Sequence, residues 1–233
     1  MSLHPTNPGR VLITGGASGL GAAVAEAVRD NGGTPIVLDR DISTLTGVTA
    51  YEVDVADTAA VTGTVRRAVA AAGGLDAVVT AAGIDRCGRL EDVASTEWEK
   101  VVQVNLFGTV STVRAALPAL RESRGRVVTV ASTLALKGVS DATAYCASKF
   151  GVLGFTQALA AELKGEVGVT QLIPGGMKTR FFDDRDEQYK PQDDSQLNDP
   201  ENVANAVLFA LGQPRGCEIR ELFVAHAEEG SWP

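Results

Sequence analysis

Short apolar runs alternate with stretches of helical spacing along most of the chain, and that alternation leaves few folds open. Val11-Leu12-Ile13 leads into Thr14-Gly15-Gly16-Ala17-Ser18-Gly19-Leu20-Gly21. Ala22, Ala23, Val24, Ala27 and Val28 then follow with helical spacing until Asn31-Gly32-Gly33 stops the pattern. Further strands are expected over residues 35–38, 51–53, 75–80, 125–131, 167–173 and 221–225. Between them lie helical stretches over residues 57–72, 96–120, 145–164 and 199–211. Asp57 is a plausible N-cap, Ser95 or Thr96 is expected to cap the long helix, and Pro118 falls late enough only to shorten or kink its end. Asp199-Pro200 opens the last helix with proline in its first turn. Strand–helix alternation of this kind argues for an α/β fold, a single-domain doubly wound (Rossmann-type) parallel sheet of about seven strands with helices on both faces. No linker or repeat divides the chain, so residues 1–233 are expected to form one domain.

Gly15, Gly19 and Gly21 sit between the first strand and the first helix, where bare backbone permits a tight turn and close approach of phosphates. The helix beyond presents unpaired N–H groups to an anion. The second strand ends in Asp39, whose carboxylate can accept from the two hydroxyls of a ribose and repel a 2′-phosphate, which favours NAD over NADP. Arg40 beside it could instead pair with such a phosphate, or stack on the adenine, or simply be solvated. Asp54 ends the third strand and either reaches the adenine amino group or bonds its own turn.

A second group of residues carries chemistry. Tyr145 and Lys149 are spaced i, i+4, on one face of a helix, and Ser132 lies thirteen residues ahead of the tyrosine. A free phenol with a pKa of about 10 is a poor base near neutrality, but a neighbouring ammonium favours the phenolate. A tyrosine so tuned can exchange a proton with an alcohol or carbonyl oxygen that a serine hydroxyl holds in place. Taken alone, the pair could equally decorate a helix surface.

Composition removes several other classes. No apolar run approaches the ~20 residues of a membrane span, and the opening MSLHPTNPGR holds no signal segment, so a cytoplasmic protein with no membrane partner is expected. Cys87, Cys146 and Cys217 are widely spaced and odd in number, which implies neither a disulfide framework nor a zinc site. With only His4 and His226, both near the termini, no metal centre is expected. The net charge of −8 and scattered basic residues argue against a nucleic-acid partner.

Taken in order, these motifs resemble the short-chain dehydrogenase/reductase family in its short single-domain branch, over roughly residues 9–226. The resemblance rests on TGGASGLG at 14–21, Asp54-Val55, Ala81-Ala82-Gly83, Val104-Asn105-Leu106, Ser132, YCASK at 145–149, and Pro174-Gly175 with Thr179. It implies that Gly15, Ser18, Gly19, Leu20 and Gly21 hold the cofactor phosphates, and that Asp39, Arg40, Asp54 and Val55 surround the adenosine. It further implies that Ala81, Ala82 and Gly83 let the cofactor lie against the fourth strand, and that Pro174, Gly175 and Thr179 line the nicotinamide side. Tyr145 would be the general acid/base, Lys149 would lower its pKa and hold the nicotinamide ribose, and Ser132 would polarise the substrate carbonyl. Asn105 would hold a water linking Lys149 to solvent. Two departures stand out: the family often has Asn-Asn where this chain has Thr80-Ala81, and Asn where it has Ile173. The tyrosine–lysine spacing and the short C-terminal part disfavour enoyl reductases and extended epimerase-like relatives.

The polar stretch at 180–198 falls where the family covers its substrate, and its acidic run reads as a solvated, mobile segment. Phe181, Phe182, Met177, Leu134 and Val139 are candidates for an apolar pocket wall or for core. Cys146 reads as packing and Cys87 as a residue of the pocket rim. The resemblance implies a homotetramer or homodimer, with the Asn105 and Tyr145 helices on one axis and the last helix and strand on another. Trp232 is expected to pack on a neighbouring subunit or at the pocket mouth. The functional expectation is an oxidoreductase that moves a hydride between NAD and a small-molecule alcohol or ketone. An NADP-dependent 3-oxoacyl or other carbonyl reductase is the alternative, and a non-catalytic dinucleotide-sensing module is the reading of a different class.

Overall fold

The computed structural model describes residues 7–191 and 193–230; the expectation for Trp232 falls outside them. Seven strands, β1 (Arg10–Thr14), β2 (Thr34–Asp39), β3 (Thr49–Glu52), β4 (Ala77–Thr80), β5 (Arg126–Val130), β6 (Gly168–Pro174) and β7 (Glu221–Val224), form one sheet in the order β3-β2-β1-β4-β5-β6-β7. Every neighbouring pair is parallel. Parallel strands need crossovers, which six helices supply: α1 (Gly19–Asp30), α2 (Thr58–Ala72), α3 (Ser95–Val102), α4 (Gly108–Ser123), α5 (Thr143–Glu162) and α6 (Pro200–Leu211). The fold is therefore the doubly wound Rossmann-type sheet.

Side chains alternate across each strand, so β1 is buried on both faces. Leu12 points into a core shared with α2, α4 and α5, through Val61, Val65, Val113 and Leu159. Val11 and Ile13 point into the opposite core against Val24 and Val28 of α1 and Val203 and Val207 of α6. The strand order reverses between β1 and β4, and in sheets of this kind ligands bind in the crevice beyond the strand ends at that point.

Two local expectations need correction. Asp57 caps α2 as expected, accepting from Ala59 N at 3.1 Å and Ala60 N at 2.9 Å. Neither Ser95 nor Thr96 caps α3, however: the N-cap position is Ala94, whose carbonyl takes the Glu97 and Trp98 amides. The long helix is also not continuous. A π turn over Gln103–Phe107 separates α3 from α4, while Pro118 stays inside α4. Such a turn adds a residue to the helical repeat and turns the side chains after it, a device common at functional sites. Finally, the acidic side chains in the stretch after β6 are exposed, as expected of a solvated run, but the stretch is not irregular throughout. It folds into three short 3₁₀ turns, Arg180–Phe182, Glu187–Tyr189 and Asp194–Gln196, the first with Thr179 as its cap.

Candidate active site

Above the C-terminal ends of β1, β4, β5 and β6 lies a cleft of about 610 Å³. Its first wall is the glycine turn, where Gly15, Ser18, Gly19, Leu20 and Gly21 all face the cleft. Gly15 has φ +70°, and a Cβ there would come within 2.7 Å of the Ala82 Cα; at Gly21 a Cβ would run into the Gly15 carbonyl. Bare backbone is therefore required by the protein itself at both positions. At the N-terminus of α1, Ser18 makes no side-chain capping bond. The first N–H groups of the helix thus meet the cleft at its most positive end, which suits a phosphate.

Asp39 and Arg40 line the same end. The Asp39 Oδ2 accepts from Ala17 N at 3.0 Å, tying the end of β2 to the glycine turn, and Oδ1 accepts from Asp41 N at 3.3 Å. Asp54 and Val55 line the adjacent wall; Asp54 Oδ1 is taken by its own turn through Ala56 N at 2.9 Å. Ala81, Ala82 and Gly83 form the floor. At the departure Thr80-Ala81, the floor is braced by Thr14 Oγ1, which accepts from Ala82 N at 3.3 Å, while Thr80 Oγ1 is buried without a partner.

The other end of the cleft holds Ser132, Tyr145 and Lys149, all buried. Ser132 follows β5, and its Oγ accepts from Leu134 N at 3.2 Å. Tyr145 and Lys149 rise from the first turns of α5, with Lys149 Nζ 5.6 Å from the Tyr145 ring centre and donating to the Val130 carbonyl at 2.9 Å. Pro174, Gly175 and Thr179 close this side, and the Thr179 methyl lies 3.3 Å from the place of a Gly19 Cβ. A Cβ on Gly83 would sit 3.7 Å from Lys149 Nζ and 3.5 Å from Asn105 Oδ1, in ordinary contact with both. The donors of a helix N-terminus at one end, an acid at the second strand and an open floor between fit an extended dinucleotide.

The surroundings of Asn105, Tyr145 and Lys149 bear on their expected roles. The Asn105 side chain is tied to the loop after β4 and to α5. Its Oδ1 accepts from Ile84 N at 2.8 Å, and its amide donates to the Ile84 carbonyl at 2.9 Å and to Ser148 Oγ at 3.0 Å. Both N–H groups are used, so the side chain braces the loop after β4 to α5, and Asn105 itself is absent from the cleft wall. Without cofactor, the Tyr145 phenol stands above its ordinary pKa. Burial pushes the phenol up to about 12, partly opposed by the Ser132 hydroxyl. The same burial brings the lysine ammonium down to about 8. Desolvation is the largest influence on both groups.

The sequence reading missed a third feature beside Tyr145. Asp85, after β4, and Arg185, from the stretch after β6, form an ion pair of 2.6 Å with side chains 2% and 16% exposed. Nothing in the spacing of two residues a hundred positions apart signals it. Cys87 joins this pair, donating its S–H to Asp85 Oδ2 at 3.3 Å. Burial, then the Asp85 charge, pushes the thiol up to about 12. Glu229 also enters the cleft, accepting from Gly176 N at 2.8 Å.

Sheet order and cleft together define a dinucleotide-dependent α/β oxidoreductase. The chain belongs to the short chain dehydrogenase family, whose sequence model matches residues 9–190. It is 33% identical over 224 residues to an uncharacterized oxidoreductase of Staphylococcus aureus (strain MW2), spanning 91% of this chain and 95% of that one. It is 32% identical to the BbsD subunit of (2S)-[(R)-hydroxy(phenyl)methyl]succinyl-CoA dehydrogenase of Thauera aromatica, over 88% and 90% of the two chains. Among solved structures, a short chain dehydrogenase of Burkholderia cenocepacia in complex with NADP superposes with a TM-score of 0.85 at 28% identity, covering 95% of this chain and 98% of that one. An alcohol dehydrogenase of Thermococcus sibiricus shares the fold, with a TM-score of 0.87 at 23% identity over 95% and 97% of the chains. Among the described residues no helix is long and apolar enough to cross a membrane.

Proposed function

We propose that the protein is an NAD-dependent alcohol dehydrogenase or ketone reductase in which Tyr145 is the general acid/base. The observation that carries this reading is the burial of Ser132, Tyr145 and Lys149 together at one end of a cleft whose other end carries Asp39. The bound cofactor supplies the hydride acceptor and, when oxidised, a positive charge. Tyr145 takes the hydroxyl proton of an alcohol through its phenolic oxygen and returns it to a carbonyl in the reverse direction. Ser132 orients that oxygen. Lys149 adds a positive charge beside the phenol and a donor for a ribose hydroxyl. Because burial holds the phenol near 12, ionisation of Tyr145 in the working enzyme depends on the additional positive charge in the cleft. Asn105, at the π turn, is the residue we propose to hold a relay water behind Lys149; its carbonyl accepts from Thr109 Oγ1 at 2.9 Å.

Asp39 supports NAD, since its carboxylate stands beside the phosphate turn where a 2′-phosphate would meet like charge. Arg40 and the NADP complex of the Burkholderia relative support the alternative, an NADP-dependent carbonyl reductase. The substrate is a small molecule. We further propose one domain, cytoplasmic placement, and a homodimer or homotetramer. Exposed Phe107 and Phe150, beside α4 and on α5, and exposed Phe209 and Phe223, on α6 and β7, support two separate contact faces. Side-by-side titration with NADH and NADPH tests the cofactor reading. NADH should bind at least about tenfold more tightly, and Asp39→Ser should narrow the gap. Tighter NADPH binding would transfer the decision to Arg40.

A further inference from the structure

We propose that Arg185 reads a carboxylate on the substrate, so that the alcohol or ketone taken by this site is a hydroxy acid or oxo acid. This inference rests on the site proposed above and names its substrate class.

The guanidinium lies in the wall of the same cleft as Tyr145. Its Cζ is 5.1 Å from the Phe181 ring centre and 4.7 Å from that of Phe182. Phe181 in turn packs on the Tyr145 ring, centre to centre 5.6 Å. One aromatic ring thus separates the cation from the tyrosine, and the stacking fixes the guanidinium plane. The Arg185 charge is also felt at the Tyr145 phenol.

What sets this arginine apart from a simple structural ion pair is its unfinished bonding. Nη2 donates to Asp85 Oδ2 at 2.6 Å and Nη1 to the Tyr189 carbonyl at 3.3 Å, but Nε is buried with no partner. A carboxylate ordinarily engages an arginine through two parallel bonds. Asp85 engages Arg185 through Oδ2 alone, which also accepts from Cys87, while its Oδ1 turns to Arg86 N at 2.7 Å. Asp85 therefore orients the guanidinium and leaves Nε as the one nitrogen with no acceptor. A buried N–H without an acceptor is costly, and a planar carboxylate has the geometry to take it. The apolar side chains of Leu134, Phe181 and Phe182 line the space beside it for the rest of the substrate.

Titration with benzoate and its uncharged isostere benzamide tests the assignment on the protein alone and again with NADH present. Benzoate should bind about tenfold more tightly than benzamide, the difference expected of a charge-assisted hydrogen bond. Arg185→Met should abolish the preference. Arg185→Lys, which keeps the charge but loses the fork, should retain only a small part of it. Asp85→Asn removes a competing negative charge while leaving the arginine, and should tighten benzoate severalfold. If the pair were only a latch for the stretch over the cleft, Asp85→Asn and Arg185→Met would weaken benzoate alike, and the proposal would fall. Equal binding of benzoate and benzamide, or of benzoate and inorganic phosphate, would also overturn it. Because the preference is read without cofactor, absence of NADH and NADPH binding would count against the cofactor reading alone.

Discussion

A buried lysine that has only a carbonyl as its near partner makes a quantitative prediction. Lys149 is 5% exposed, and its ammonium is brought down to about 8 from an ordinary 10.5 by burial. At ~1.4 kcal/mol per pH unit, that gap means the charged lysine costs the folded, cofactor-free protein about 3 kcal/mol at neutral pH. Lys149→Met keeps most of the aliphatic volume and removes the charge. It also removes the donor to the Val130 carbonyl. Val130 borders the cleft, so water can replace that bond and the loss should stay near ~1 kcal/mol. A net gain of about 2 kcal/mol corresponds to a melting temperature roughly 5 °C higher for a chain of this size. The sign of its pH dependence is fixed. The folded-state value lies below the unfolded one, so between pH 8 and 10.5 the unfolded chain holds a proton that the folded chain has released. Wild-type stability therefore climbs through that window, and the advantage of the variant falls to zero inside it and becomes a deficit of up to about 1 kcal/mol at its upper end. Thermal unfolding of both cofactor-free proteins, followed by circular dichroism from about pH 7 to about pH 10.5, reads the difference. A variant that melts below the wild type at neutral pH, or a difference flat across the window, would refute the claim that desolvation governs this site.

Three further outcomes are expected. Tyr145→Phe should lower turnover by about 10²–10⁴ and leave cofactor affinity within about twofold, measured by steady-state rates and fluorescence titration; retained turnover would remove the tyrosine from the mechanism. At mildly alkaline pH, iodoacetamide should modify exposed Cys217 rapidly and leave Cys87, whose thiol is pushed up to about 12, until the protein unfolds. Mass spectrometry showing two cysteines modified at equal rates would contradict the burial of that thiol. Asp57→Ala should cost about 1 kcal/mol through loss of two capping bonds, and lower the melting temperature by roughly 2–4 °C.

The fold was legible because each strand of a doubly covered sheet is a short continuous apolar run, and each crossover has helical spacing. Val11-Leu12-Ile13 followed by glycines and then Ala22 to Val28 carries both signals within twenty residues. Gly15, Asp39, Asp54, Ala81 to Gly83, Ser132 and Pro174 were legible for a related reason: they sit at or just beyond strand ends, and motif order marks strand ends. What lay beyond reach was anything decided by burial or by contacts distant in sequence. The i, i+4 spacing placed Lys149 beside Tyr145, but only packing sets the solvent cost that turns both values the other way. Ser95 and Thr96 have good capping chemistry, yet the backbone already curls at Ala94 and leaves them inside the helix. The π turn at Asn105 replaces an ordinary helical repeat without any glycine or proline to announce it. Arg185 was hidden by its neighbours, since an acidic, polar stretch reads as solvated whichever single residue turns inward.

The reversal of strand order between β1 and β4 has a consequence for how such a protein can change over generations. Gly15 to Gly21, Asp39, Arg40 and Asp54 all come from the strands on one side of that seam. Ser132, Tyr145, Lys149 and Arg185 come from the other. The seam itself is crossed by backbone bonds between β1 and β4, which do not depend on side-chain identity. The first eighty residues and the remainder are not independent, however: the second part carries the cleft floor at Ala81, Ala82 and Gly83 and sets Thr179 against Gly19, so a change on one side of the seam must be tolerated by the other.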